Sequence, residues 1–238
     1  MPPSELKRDS RVLMRENAPK IFIISVIYVA IVTLMAELQF RLPNPYAASD
    51  SYLSDLAAGK LPGIGTIISY FRFSGLVLAL VLWLFLPVVE IGLYSYCIKL
   101  TRGKEGDYKD LLEGFHFFFK AVLIRVITSV LTLLWSLLLL FPGIAAHYRY
   151  RLAFYVLLDN PDMGALQCIR ESKRIMHGNK LDLFLLDLSF IGWIILDAFV
   201  IVLLPLPFSL PLVSIWLTPY QGLANAAYYN RLIKTIAV

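Results

Sequence analysis

Long apolar blocks alternate with short charged stretches along the whole chain. Residues 21–36, 73–89, 121–146, 183–204 and 206–229 are mostly apolar, and about 20 such residues cross a hydrocarbon core as a helix. The third block is the longest, and Pro142-Gly143 is expected to turn the chain within it, because proline disfavours helix at the residue before it and starts a new helix readily. That splits the block into spans over about 116–141 and 143–158. The pattern therefore predicts six spans.

The charged stretches have helical periodicity of their own. Leu6, Leu13 and Met14 are apolar among Lys7, Arg8, Arg11 and Arg15. Residues 160–178 repeat the plan, with Asn160 as cap, Pro161 at the first helical position and Gly178 as stop. Ala165, Leu166, Cys168, Ile169, Ile175 and Met176 form the apolar side, opposed by Arg170, Lys173 and Arg174. A third short amphipathic helix is expected over 107–115, with Leu111, Leu112 and Phe115 on its apolar side. Helices of this kind lie in the membrane interface and attract anionic lipid head groups.

Two of these stretches are related. RDSRVLMRENAPKIF at 8–22 reads against RESKRIMHGNKLDLF at 170–184, 162 positions later, with Arg, Ser, Met, Asn and Phe in identical places. A weaker match at an offset of 132 relates Pro87, Tyr96 and Lys99 to Pro219, Tyr228 and Arg231. Repetition of this kind points to a parallel repeat. Three units follow: 1–100 and 160–238 as two copies of amphipathic helix plus hairpin, and 101–159 as a central hairpin. The stretch 39–70 is read as a long outer loop, with a possible short helix over 49–58.

Composition agrees with a lipid environment: 58% of residues are hydrophobic and 16% charged, against roughly a quarter charged in soluble domains. The net charge of +5 follows orientation rather than nucleic acid. Lys and Arg gather before the first span, between the second and third, before the fifth and after the last, and such residues mark cytoplasmic loops. Both termini are expected to be cytoplasmic. Cys97 and Cys168 are read as packing residues, and His116 and His177 lack any partner at metal-ligand spacing.

Ionisable residues inside the spans carry the remaining signal, since each is costly unless paired or hydrated. At 1.5 Å per residue, Glu90, Arg125 and Asp187 fall in an inner layer roughly 10 to 12 Å deep. Arg149, Arg151 and Asp197 fall in an outer layer at a similar depth from the other side. The expected pairings are Glu90 or Asp187 with Arg125, and Asp197 with Arg149 or Arg151. No serine has a nucleophile-elbow context and no glycine-rich phosphate loop is present, so a catalytic role, a metal and a cofactor are not expected.

The run from Leu134 to Trp193, followed by Trp216 to Tyr229, resembles the bacterial domain-of-unknown-function membrane family numbered 975. The marks are Pro142-Gly143, Asp159-Asn160-Pro161, Ser172 with Met176 and Gly178, Leu188 to Trp193, and Leu217-Thr218-Pro219-Tyr220. More distantly the plan is similar to the membrane region attached to some glycerophosphodiester phosphodiesterases, without their catalytic domain. The resemblance implies a polytopic protein of the bacterial plasma membrane, with no reaction to carry over.

The expectation is an all-α polytopic membrane protein with six transmembrane helices as three hairpins and cytoplasmic amphipathic helices. Its expected role is non-catalytic: organising the membrane by binding lipid, another membrane protein or itself. The alternative is a permease that carries a small solute through a polar cavity between hairpins.

Overall fold

A computed structural model describes residues 3–41, 59, 73–203 and 211–236. Among them the regular structure is helical throughout. The helices are α1 (Pro3–Glu16), α2 (Lys20–Arg41), α3 (Phe73–Thr101), α4 (Glu113–His116), α5 (Phe118–Leu138), α6 (Leu140–Tyr150), α7 (Ala153–Asp159), α8 (Ala165–Ile175), α9 (Lys180–Leu188), α10 (Ile191–Leu203) and α11 (Leu212–Ile236), with a 3-10 turn at Tyr108–Leu112 before α4. Most of the expected outer loop at 39–70 lies outside the described residues, as does 49–58 within it.

Four stretches are long and apolar enough to cross a membrane: Lys20–Glu37, Ala79–Thr101, Phe118–Leu138 and Lys180–Leu203. The remaining two expected spans form α6–α7 and α11. These are the more polar segments, with His147, Arg149 and Arg151 in one and Gln221, Asn225 and Asn230 in the other. Both also present a buried face to the protein: Ala153 to Leu157 is buried, as are Tyr220, Leu223, Ala224, Tyr228 and Tyr229. By contrast Leu133, Leu134, Leu137, Leu138 and Leu139 are exposed, as lipid-facing side chains would be.

Helices α3, α7 and α11 meet at the centre. Tyr94 stacks on Tyr155 with ring centroids 4.8 Å apart, and Tyr155 lies 5.2 Å from Tyr229. Gly222 permits the approach of α11 to α3, since a Cβ there would lie 2.8 Å from Cys97 Sγ. At one end Arg102 donates to both oxygens of Asp159 at 2.7 and 2.8 Å. Asp159 also accepts from Tyr229 at 3.0 Å, and Arg102 Nε donates to Asn230 at 3.0 Å. The planar guanidinium suits this two-oxygen contact, which ties all three helices at one level.

Each amphipathic segment sits against one of these three helices. In α11, Arg231 reaches Asp9 at 2.5 Å and Glu5 at 3.4 Å, both on α1. In α3, Lys99 reaches Asp110 at 2.7 Å and Glu113 at 2.9 Å. The third segment, α8, packs on α7, and Ser172 donates to the Arg149 carbonyl at 3.0 Å. Burial also agrees between positions 162 apart: Leu6 with Cys168, Ser10 with Ser172, Met14 with Met176, Ile21 with Leu183 and Ile24 with Leu186 are all buried. Asn17 and Asn179 each donate to the carbonyl four residues earlier, at 2.9 and 3.2 Å.

Several boundaries differ from the sequence expectation. The chain turns at Leu139, which is extended at φ −161° and ψ 148°, three residues before Pro142. Pro142 then falls in the first turn of α6, where a missing N–H costs nothing. Gly143 serves a different end, since a Cβ there would overlap Ser136. Helix α8 starts at Ala165 rather than Pro161, because Gln167 Oε1 accepts from Gly164 N at 2.9 Å and so closes the first turn. Its stop does lie where expected, with Gly178 at φ +83°. Leu166 is exposed and Ser172 takes its place on the buried side. Likewise Leu112 and Phe115 are exposed, while Asp110 and Gly114 are the buried positions of their segment. The 3-10 turn rotates side chains at 3.0 rather than 3.6 residues per turn, and Lys99 draws Asp110 inward.

The expected fifth span divides at Ser189-Phe190 into α9 and α10. Ser189 Oγ donates to the Leu186 carbonyl at 2.6 Å, and Lys7 Nζ donates to the Ser189 carbonyl at 2.8 Å. Lys7 also lies 4.4 Å from the centre of the Phe190 ring. Loss of water around its ammonium, and Arg11 nearby, push its pKa below the usual lysine value.

The fit of the 3-10 turn and α4 against α3 depends on two glycines. A Cβ on Gly114 would overlap the Val88 carbonyl, and one on Gly92 would overlap that of Leu111. Gly114→Ala is expected to destabilise the protein by about 1–3 kcal/mol, the usual cost of overpacking. Gly192→Ala, where a Cβ meets nothing within 4 Å, should be neutral or stabilise the helix by up to about 1 kcal/mol. Thermal unfolding of both variants in detergent checks this pair.

Candidate functional site: a charged cavity between helices

Four of the six expected intramembrane charges form two ion pairs. Arg125 of α5 donates to Glu90 of α3, as one of the expected pairings had it. Arg151 lies between α6 and α7 and reaches Asp187 of α9 at 2.5 and 3.2 Å, where Tyr148 also donates to Asp187 at 3.0 Å. This second pair joins the two expected depth layers instead of staying within one. Counted from the inner end of the expected span at Leu158, Arg151 lies about 10 Å deep at 1.5 Å per residue, level with Asp187, so the two layers meet at this position.

Asp197 and Arg149 depart further from expectation. Asp197 is buried and accepts from Val213 N at 3.0 Å and Ser214 Oγ at 2.5 Å, so it holds the start of α11 instead of an arginine. An anion is favoured there by the unpaired N–H groups at a helix start. Arg149 has its guanidinium 5.9 Å from the Trp135 ring, and its backbone carbonyl is the part that joins α8. The interfacial cations Arg8, Arg11, Arg15, Arg170, Lys173 and Arg174 are exposed. Arg174 pairs with Glu171 at 2.6 Å, lowering the Glu171 pKa chiefly through that hydrogen bond.

Between α3, α5 and the α6–α7 segment lies a cavity of about 600 Å³. Glu90, Arg125, His147 and Arg151 line it together with Tyr94 and Tyr150. Its α5 wall is a row of hydroxyls, Thr128, Ser129, Thr132 and Ser136. The spacing 128, 132, 136 puts one polar side chain per turn on one helix face, a signal present in the sequence but masked by the apolar residues around it. Thr128 donates back to the Ile124 carbonyl at 2.7 Å. Burial of the charges without water would be costly, and both pairs keep about a quarter of their side-chain surface accessible. Such a volume falls within the roughly 300–1,000 Å³ of ligand pockets. The arrangement can bind a polar group, orient it by hydrogen bonds and hold it away from lipid. Among the described residues there is no cluster of His, Cys, Asp and Glu placed to hold a metal.

Arg151 and Arg149 should respond differently to truncation. Arg151→Ala leaves Asp187 without its cation and is expected to cost about 3–5 kcal/mol. Arg149→Ala removes an aromatic contact worth about 1 kcal/mol. Yield of monodisperse protein and its unfolding temperature distinguish the two, and equal losses would contradict the pairing.

No curated protein and no solved structure matches the chain. A match to a family model covers residues 137–235, which run from the end of α5 to the last turn of α11 and include Arg149, Arg151, Asp187 and Asp197. In this segment, about two fifths of the chain, the protein is similar to the family described as Protein of unknown function (DUF975).

Proposed function

We propose that the protein is a six-span protein of the bacterial plasma membrane with both termini cytoplasmic, and that it binds a small polar solute in the cavity beside Glu90, Arg125 and Arg151, as a permease would. The observation that carries this reading is the cavity itself. Paired charges that served packing alone would be closed over by apolar side chains, whereas these open on a row of hydroxyls. Intramembrane charges that face a water-filled space mark solute paths by general rule.

Six spans need α6–α7 and α11 to cross as well. Their lengths, 140–159 and 212–236, suffice at 1.5 Å per residue, and of their polar residues Arg149, Arg151, Gln221, Asn225 and Asn230 are partly covered by protein while His147 opens on the cavity. The duplication of 8–22 in 170–184 is supported by the shared pattern of burial and by the two asparagine contacts. A second reading, membrane organisation through lipid or a partner protein, draws on the exposed Arg8, Arg11, Arg15, Arg170, Lys173 and Arg174, each worth about 1 kcal/mol at an anionic surface. The two roles are compatible.

Cysteines placed on the cavity wall test the solute reading. In a background lacking Cys97 and Cys168, Thr132→Cys should react with a water-soluble maleimide in intact membranes, while Leu137→Cys on the exposed apolar face should not. An inert Thr132→Cys would remove the reading. A reporter fused after Val238 is expected to be active in the cytoplasm, and activity outside would reverse the topology.

A further inference from the structure

We infer that the cavity selects an anionic oxygen group, a phosphate or carboxylate, held by Arg125 and Arg151; this rests on the solute-binding reading. The lining contains two guanidinium groups and one carboxylate. Asp187, which pairs with Arg151, is absent from that lining, so guanidinium groups outnumber carboxylates on the wall itself while the two ion pairs together are neutral. Arg125 spends Nη2 on Glu90 while its Nε, on the same edge of the fork, is buried without a hydrogen-bond partner. A guanidinium edge is matched by two oxygens of one anion, and a donor left unpaired in a buried site is unfavourable. An anion that draws the Arg125 guanidinium toward the cavity would give Nε its acceptor and lie within the field of Arg151. The hydroxyls of Thr132 and Ser136 would take the polar remainder of the ligand.

One wall leads outward. Leu133 lines the cavity and is 68% exposed, so the opening adjoins surface that lipid would cover. The same oxygen chemistry can therefore arrive on a free solute or on the head group of an anionic lipid.

The full chain, purified in neutral detergent, is titrated with inorganic phosphate, acetate or choline, and in a separate arm reconstituted with phosphatidylglycerol or with phosphatidylcholine, with thermal unfolding as the readout. Saturable stabilisation by phosphate or acetate, absent with choline, identifies a free anion. Stabilisation by phosphatidylglycerol alone identifies a lipid head group. Arg125→Lys keeps a cation for Glu90 but removes Nε, and should weaken either response at least tenfold. Thr132→Val, which leaves both ion pairs intact, should weaken it severalfold and serves where Arg125→Lys does not fold. No saturable response in either arm, an equal response to choline, or unchanged affinity in the folded variants would overturn the inference. A reactive Thr132→Cys together with failed anion binding rejects the anion selectivity alone, whereas an inert cysteine rejects the solute-binding reading as well.

Discussion

The pairing of Arg151 with Asp187 is the contact on which the arrangement of the centre depends. Neither charge can face lipid, and each finds its counter-ion in the other, Arg151 at the junction of α6 and α7 and Asp187 on α9. Helix α7, which follows Arg151, lies in the core, where Tyr155 meets Tyr94 and Tyr229. Arg151 also lies on the wall of the cavity that Glu90 and Arg125 share. Removal of either partner would strand the other charge away from water, a larger penalty than the pair's own net contribution. The pairing thus constrains where the helices can be, whatever it adds to stability.

A cyclic order follows from the way the surface segments dock. The segment before α5 sits on α3, α8 sits on α7, and α1 sits on α11. Each precedes an apolar helix and leans on one of the three helices that meet at the centre. Two of the three contacts use one cation against two acids, Lys99 with Asp110 and Glu113, and Arg231 with Asp9 and Glu5. Lys99 and Arg231, 132 positions apart in the chain, thus make contacts of the same kind. The amphipathic segments are therefore packed elements of the protein, and the cations of α1 and α8 are left on the exposed side.

Helical content, the apolar stretches and the two basic amphipathic helices were legible from periodicity, because burial in lipid and burial in protein both select apolar side chains at regular spacing. The charges that matter were legible too, since any ionisable residue inside an apolar block stands out. Their partners were not. Counting depth along straight helices gives Glu90 to Arg125 as one of two options and offers Arg149 or Arg151 for Asp197, whereas Asp197 holds backbone and a serine and Arg151 takes Asp187. The hydroxyl row of α5 is hard to see in the sequence because four small polar residues scarcely alter the apolar character of the helix that carries them.

By itself the sequence determined the all-helical class, the four strongly apolar helices, the stretches that pack at the surface and the short list of costly charges. Each of these is a property of local composition and period. Tertiary structure alone decided that Arg151 meets Asp187, that Asp197 secures the start of α11, and that Glu90, Arg125 and four hydroxyls enclose one space. Those outcomes depend on where helices break and how closely glycines let them approach, and both are settled by contacts between residues far apart in the chain.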